Sequence, residues 1–233
     1  MEAVSHPFHY SPQMVLVDVD GTMVDSVPDL AHCVNDMLKR MRRPGRSVDQ
    51  VRQWVGNGVE RLVKRALLGT LDGEPDSDLY EQALPLFRQC YGQRTCVESR
   101  LYPGVPEALA WLHSTGFRLA CVTNKAAQFT EPLLRDLGIA SYFKLVVSGD
   151  TLPQKKPDPA PLLYAAERLG VSPNAALLVG DSVNDVQAAR AAGFGVVCVT
   201  YGYNHGRDIR EASPDAVIDS LLALTSLLRV PSP

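Results

Sequence analysis

Short runs of consecutive apolar residues alternate along this chain with stretches whose apolar positions recur every three or four residues. The runs are "MVLVDVD" from Met14, "FRLACVT" at 117–123, "KLVVSGD" at 144–150, "ALLVGD" at 176–181 and "FGVVCVT" at 194–200. Each is rich in aliphatic side chains and stops at polar or small residues, the pattern of a short strand buried on both faces. Between them lie "GVPEALAWLHSTG", "TEPLLRDLG", "APLLYAAERLG" and "DVQAARAAG". These have helical spacing, and each closes on a glycine able to take the left-handed conformation that ends a helix. Strands alternating with helices of this length predict an α/β fold: a doubly wound, Rossmann-like parallel sheet with helices on both faces.

The alternation fails from about residue 27 to residue 99, where only helical patterns occur: "VPDLAHCVNDMLKRM", "SVDQVRQWV", "GVERLVKRALLG" and "SDLYEQALPLFRQCYG". In the third, Val59, Leu62, Val63, Ala66 and Leu67 mark one apolar helix face. The expected organisation is therefore a core made of 1–26 and 100–233, with a small α-helical unit, 27–99, inserted after the first strand. Pro103, Gly104 and Pro106 punctuate the return to the sheet. There is no internal repeat and no low-complexity segment.

Composition narrows the function classes. The chain has 233 residues, 45% of them hydrophobic, and a formal net charge of −3, which is ordinary for a globular domain with a sizeable core. Lys and Arg are scattered among the acids, so nothing resembles a nucleic-acid footprint. The five cysteines, Cys33, Cys90, Cys96, Cys121 and Cys198, form no C-x-x-C pair and read as reduced thiols. "MEAVSHPFHYSP" lacks the basic start and apolar stretch of a signal peptide, and no apolar run reaches the ~20 residues of a membrane span. The expectation is a cytoplasmic protein with neither nucleic acid nor membrane as partner; monomer and dimer both stay open.

In an open α/β sheet the ligand sits at the carboxyl ends of the strands, and the unusual residues gather there. The first strand ends on Asp18 and Asp20, the second on Thr123 and Asn124, the fourth on Gly180 and Asp181, with Asp185 one turn further; Lys156 lies in "QKKPDP" between the third and fourth. Carboxylates so close repel unless a cation bridges them, and hard oxygen donors suit Mg²⁺ shared with a phosphate. With its charge offset, Asp18 can attack phosphorus in line to give an aspartyl phosphate. Asp20 can protonate the leaving oxygen and later deprotonate the hydrolytic water. Thr123 would donate to a phosphoryl oxygen and Lys156 would add fixed positive charge. Gly21 would let the backbone approach the phosphoryl group.

Plainer readings stand beside these. A lone D-x-D is usually a solvated turn, and Thr123 could cap the helix that follows. Gly56, Asn57 and Gly58 could be a simple helix-start turn, or could offer amides to a substrate carboxylate at the positive end of a helix. Arg61, Lys64 and Arg65 are further candidates for that carboxylate. Tyr203 and His205 could lie near the site, with a surface loop as the plainer reading. A phospho-receiver module would share clustered aspartates on such a sheet, but has no use for an acid at Asp20 or for some seventy residues of lid.

"DVDGTMVDS", "VTNK", "KKPDP" and "GDSVNDVQAARAAG" resemble, in order, the four motifs of the haloacid dehalogenase-like phosphatase superfamily. The resemblance implies Asp18 as nucleophile, Asp20 as acid/base, and Thr123, Asn124, Lys156 and Gly21 around the phosphoryl group. It implies Mg²⁺ held by Asp18, Asp181 and the main-chain carbonyl of Asp20, with Asp185 as direct or outer support, and the helical insert as a small cap. "WVGNGVERLVKRAL", "TYGYNHGRDI" and "DSVPDL" are similar to bacterial phosphoglycolate phosphatases, which implies a small phosphorylated metabolite, 2-phosphoglycolate, as substrate. Val19 and Met23 depart from the usual residues but remain apolar. A phosphatase of another small metabolite, such as a sugar phosphate or pyrophosphate, and a sugar phosphomutase share the same motifs.

Overall fold

The computed structural model describes residues 10–230. All five expected runs form strands: β1 (Met14–Val17), β4 (Arg118–Val122), β5 (Leu145–Val147), β6 (Ala176–Gly180) and β7 (Gly195–Val199). With β8 (Ala216–Ile218) they make one parallel sheet in the order β5-β4-β1-β6-β7-β8. β1 is central, and the chain crosses from one side of it to the other between β5 and β6, which opens a crevice at its carboxyl end. Register decides what meets there. Val17 lies level with Cys121 on one neighbour and with Val179 on the other. The residues that follow each strand, Asp18, Thr123 and Asp181, are therefore brought to one edge.

β8 escapes the sequence pattern because it is three residues long and only partly buried at the sheet edge. A second unforeseen element is the antiparallel ribbon of β2 (Val24–Asp25) and β3 (Arg100–Leu101), in which Val24 pairs with Leu101. The chain leaves the sheet through one strand and returns through the other.

Between them run four helices, α1 (Val27–Arg40), α2 (Val48–Trp54), α3 (Val59–Leu68) and α4 (Ser77–Gly92). Their starts are locally encoded. Pro28 sits in the first turn of α1; Ser47 and Gln50 form a reciprocal capping box on α2; Asp76 accepts from Leu79 N at the head of α4. Leu30, Val34, Met37, Val51, Leu62, Val63, Phe87 and Tyr91 share a hydrophobic cluster that also takes in Phe129 and Tyr203 from outside these helices.

The remaining helices, α5 (Val105–Ser114), α6 (Ala127–Asp136), α7 (Ala160–Leu169), α8 (Val183–Ala192) and the short α9 (Leu224–Leu227), flank the sheet. Alternation along β1 divides the core. Val15 and Val17 pack with Leu109, Leu112 and Leu133 on one face, while Met14 and Leu16 pack with Leu162, Val186 and Ala189 on the other. No helix among the described residues is long and apolar enough to cross a membrane.

Candidate active site

The loop after β1 is a tight turn built on one carbonyl: the amides of Thr22, Met23 and Val24 all lie within 3.2 Å of Val19 O. Gly21 has φ +83° there, and a Cβ on it would stand 2.3 Å from Asp181 Oδ2. Only glycine can bring this backbone so close to that carboxylate. The turn presents Asp18, whose Oδ1 accepts from Val19 N at 2.7 Å and lies 3.1 Å from Lys156 Nζ.

Lys156 is buried and its ammonium is fixed by three acceptors, since it also donates to Asp185 Oδ1 at 2.7 Å and Val122 O at 2.9 Å. Asp185 Oδ2 in turn receives Ser182 Oγ at 2.7 Å, Ser182 N at 3.1 Å and Asp181 N at 3.3 Å, closing the start of α8. Asp181 accepts from Thr22 Oγ1 at 3.1 Å and from Tyr203 N at 2.5 Å.

One oxygen from each of Asp18, Asp181 and Asp185 lies within 4.8 Å of the others, all buried. Burial pushes the Asp18 carboxyl up to about 6 against the pull of Lys156. Burial, then the neighbouring charges of Asp185 and Asp18, raises Asp181 well above the ordinary carboxylate range. Burial alone would raise Asp185 too, but Lys156 and the donors around Ser182 outweigh it and hold its carboxyl low. Three acids against one lysine are an under-neutralised set of hard oxygen donors, which fits a small divalent ion. Both Asp185 oxygens are already engaged, whereas Asp18 Oδ2 faces no protein donor in this network.

Asp20 has a separate set of partners. Lys125 Nζ bridges its two carboxylate oxygens at 2.8 and 2.9 Å, and Ser26 Oγ donates to Oδ1 at 2.6 Å. Sequence reasoning passed over Lys125, although it stands at the end of the quoted "VTNK"; a lysine directly after a strand-end Thr-Asn is the signal that could have found it.

At the end of β4 the helix-cap reading of Thr123 needs correction. α6 begins at Ala127 with Ala126 before it, so Thr123 is not its N-cap; Thr123 Oγ1 instead accepts from Lys125 N at 3.3 Å. The Asn124 side chain is engaged by the protein itself. Its amide nitrogen donates to Gly56 O at 3.0 Å and Lys156 O at 2.9 Å, and its oxygen accepts from Lys156 N at 2.9 Å. Asn124 thus ties the Lys156 loop to the helical segment.

Asp18, Asp20, Thr123, Asn124 and Lys125 line a cavity of about 30 Å³ closed on the other side by Leu30, Val55, Gly56, Gly58, Val59 and Leu62. That is room for on the order of two waters beyond the protein atoms. Gly56 and Gly58, at φ +119° and +84°, therefore do reach the site, while Asn57 is absent from the lining. Arg61, Lys64 and Arg65 do not reach it. Arg61 and Lys64 pair with Glu74 at 3.0 and 2.5 Å, and Arg65 donates to Trp54 O and Leu71 O.

The surface-loop reading fails for Tyr203, which is 2% exposed. Its hydroxyl donates to Asp25 Oδ1 and accepts from Ser26 N at 3.1 Å. His205 is partly buried and its Nδ1 lies 2.7 Å from Gln53 O on α2, again joining the two parts of the chain.

Residues 12–193 match the family model described as haloacid dehalogenase-like hydrolase. The chain belongs to that family. Among relatives of this haloacid dehalogenase-like hydrolase, the phosphoglycolate phosphatase of Nitrosococcus oceani is 60% identical over 217 residues, covering 93% of this chain and 96% of that protein. The phosphoglycolate phosphatase of Nitrosospira multiformis is 54% identical, covering 92% and 95%. A crystal structure of a predicted phosphoglycolate phosphatase from Haemophilus somnus superposes with a TM-score of 0.87 at 38% identity, covering 91% of this chain and 96% of that one.

Proposed function

We propose that the protein is a Mg²⁺-dependent phosphatase of the cytoplasm that hydrolyses 2-phosphoglycolate to glycolate and phosphate through an aspartyl phosphate on Asp18. The observation that carries this is the division of labour between two carboxylates opening on one cavity: Asp18 held by Lys156 and Val19 N, Asp20 held by Lys125 and Ser26. A nucleophile and an acid/base need different partners, and these have them. The names of the close relatives support the substrate.

Asp18 and Asp181 side chains, with the Asp20 main-chain carbonyl, are the proposed ligands of Mg²⁺, and Asp185 supports them from outside by fixing Lys156 and the start of α8. The ion supplies charge neutralisation for phosphoryl transfer. Asp18 Oδ2 attacks phosphorus while Lys156 offsets charge and Thr123 donates to a phosphoryl oxygen; Asp20 hands a proton to the departing alkoxide and then takes one from the water that cleaves the acyl phosphate. Residues 27–99 act as the cap. Its wall of Leu30, Val55, Val59 and Leu62 offers no polar groups for a hexose, which favours a two-carbon leaving group over a sugar phosphomutase substrate. Gly56 and Gly58, at the start of α3, are the proposed seat of the substrate carboxylate.

Phosphate release from 2-phosphoglycolate, hexose phosphates and pyrophosphate tests the assignment. The highest kcat/KM is expected on phosphoglycolate, with no turnover in EDTA; a preference for a hexose phosphate would overturn the substrate.

A further inference from the structure

We propose that Lys125 and Tyr91 are positioning residues for Asp20, so that the last helix of the inserted segment, α4, sets the direction in which the acid/base points. The inference rests on the phosphatase reading above. A short aspartate side chain after a tight turn has several staggered rotamers open to it, and only one aims at a leaving group. Two neighbours select the rotamer here. Ser26 is fully buried, and its hydroxyl donates to Asp20 Oδ1 at 2.6 Å. Lys125 spans both carboxylate oxygens.

Ser26 is fixed by its place beside β2, but a lysine ammonium sits on a flexible four-carbon stem and needs a fixture of its own. The Lys125 backbone is anchored, since its carbonyl accepts from Gly149 N at 2.7 Å and Thr130 Oγ1 at 3.1 Å. The head group is held by something else. Its nitrogen lies 4.9 Å from the centroid of the Tyr91 ring, a distance at which the ring face attracts a cation, the more so when both are desolvated. Tyr91 is fully buried on α4, between Phe87 of the same helix at 5.6 Å and Phe129 of α6 at 4.9 Å between ring centroids. The chain of contacts runs from the inserted segment through one aromatic ring and one cation to the acid, and among the described residues Lys125 is the single cation lining the cavity. Seating of α4 on the core therefore completes the site by orienting Asp20, beyond merely covering it.

The test compares leaving groups. In Lys125→Met, kcat on 2-phosphoglycolate and on ethyl phosphate should fall on the order of tenfold to hundredfold, because an alkoxide needs a well-placed proton donor. The fall on p-nitrophenyl phosphate, whose leaving group departs unaided, should be far smaller, and KM should stay within about threefold. Tyr91→Leu should repeat the pattern at smaller scale, and Tyr91→Phe, which keeps the ring face, should stay near the unsubstituted enzyme. Tyr91 sits in a packed core, so Lys125→Met, whose side chain faces the cavity, decides the matter, with a thermal transition confirming that it folds. An equal loss on alkyl and aryl substrates, or a loss confined to KM, would overturn the positioning role. Failure of the unsubstituted enzyme to release phosphate from 2-phosphoglycolate or from any of the other phosphomonoesters would instead overturn the phosphatase reading.

Discussion

Gly202 shows how closely single residues are fitted around the acids. A Cβ there would stand 2.1 Å from Asp181 Cβ, so Gly202→Ala must displace the carboxylate proposed to hold Mg²⁺. Disturbing a residue that sets a ligand's orientation typically costs 10–100-fold in metal affinity, and the Mg²⁺ concentration for half-maximal activity should rise by about that factor; an unchanged Mg²⁺ titration would remove Asp181 from the proposed ligand set. Asn124 makes a different kind of contribution. Asn124→Ala removes two buried hydrogen bonds and one part-buried one and strands the Lys156 N–H and carbonyl, a loss of about 1–3 kcal/mol per unsatisfied group at most. Urea unfolding should show reduced stability with the slope unchanged, and stability equal to the parent would contradict the strut role. The convergence of Asp18, Asp20, Lys156, Asp181 and Asp185 on one edge was legible in the sequence because Asp18 and Asp181 follow strand ends directly, Asp20 lies two residues beyond Asp18, and Lys156 and Asp185 fall in the loop and the helix turn next to them. Lys125 and Tyr203 were not, since each acts through a contact between segments far apart in sequence, 105 residues for Lys125 and Asp20 and 177 for Tyr203 and Ser26; Ser26 lies only six residues from Asp20, but a serine after a strand-end turn carries no periodic or charge signal of its own.

At the scale of elements, the five core strands and all four inserted helices follow from apolar periodicity, because burial on two faces or one writes itself into the pattern. β8 and the β2–β3 ribbon did not, having three and two residues per strand, too few for any period to register. The start of α3 was read as either a turn or an anion seat. It faces the cavity, and Gly58 holds φ +84° with a would-be Cβ 3.4 Å from Asn124 O. If the α3 amides seat the substrate carboxylate, Gly58→Ala should lower kcat/KM for phosphoglycolate roughly tenfold more than for ethyl phosphate, the scale of one charged hydrogen bond. Equal losses on the two substrates would make the turn structural and leave the carboxylate to another group. Proline is a poorer probe at this position, since its ring cannot adopt positive φ at all.

For the whole molecule, the acidic cluster links metal, pH and stability. The folded-state value of Asp18, about 6, lies above its ordinary 3.8. Between those values the unfolded chain is ionised while the folded carboxyl still holds its proton, so in metal-free protein this group withdraws stability as pH rises through the window, completely above about 6. A cation must displace that proton at low pH and meets a bare carboxylate at high pH. The rise in Tm on adding Mg²⁺ should therefore be larger at pH 8 than at pH 5; scanning calorimetry in EDTA and in Mg²⁺ would contradict the account if the two rises were equal or absent. The same cluster makes the central claim directly testable, since everything proposed for this fold depends on Asp18 being the residue that carries the phosphoryl group. Acid-quenched single turnovers with radiolabelled 2-phosphoglycolate, followed by peptide mapping, should place the label on Asp18 and leave none in Asp18→Asn; label on Asp181 or Asp20, or turnover by Asp18→Asn near that of the parent, would contradict it.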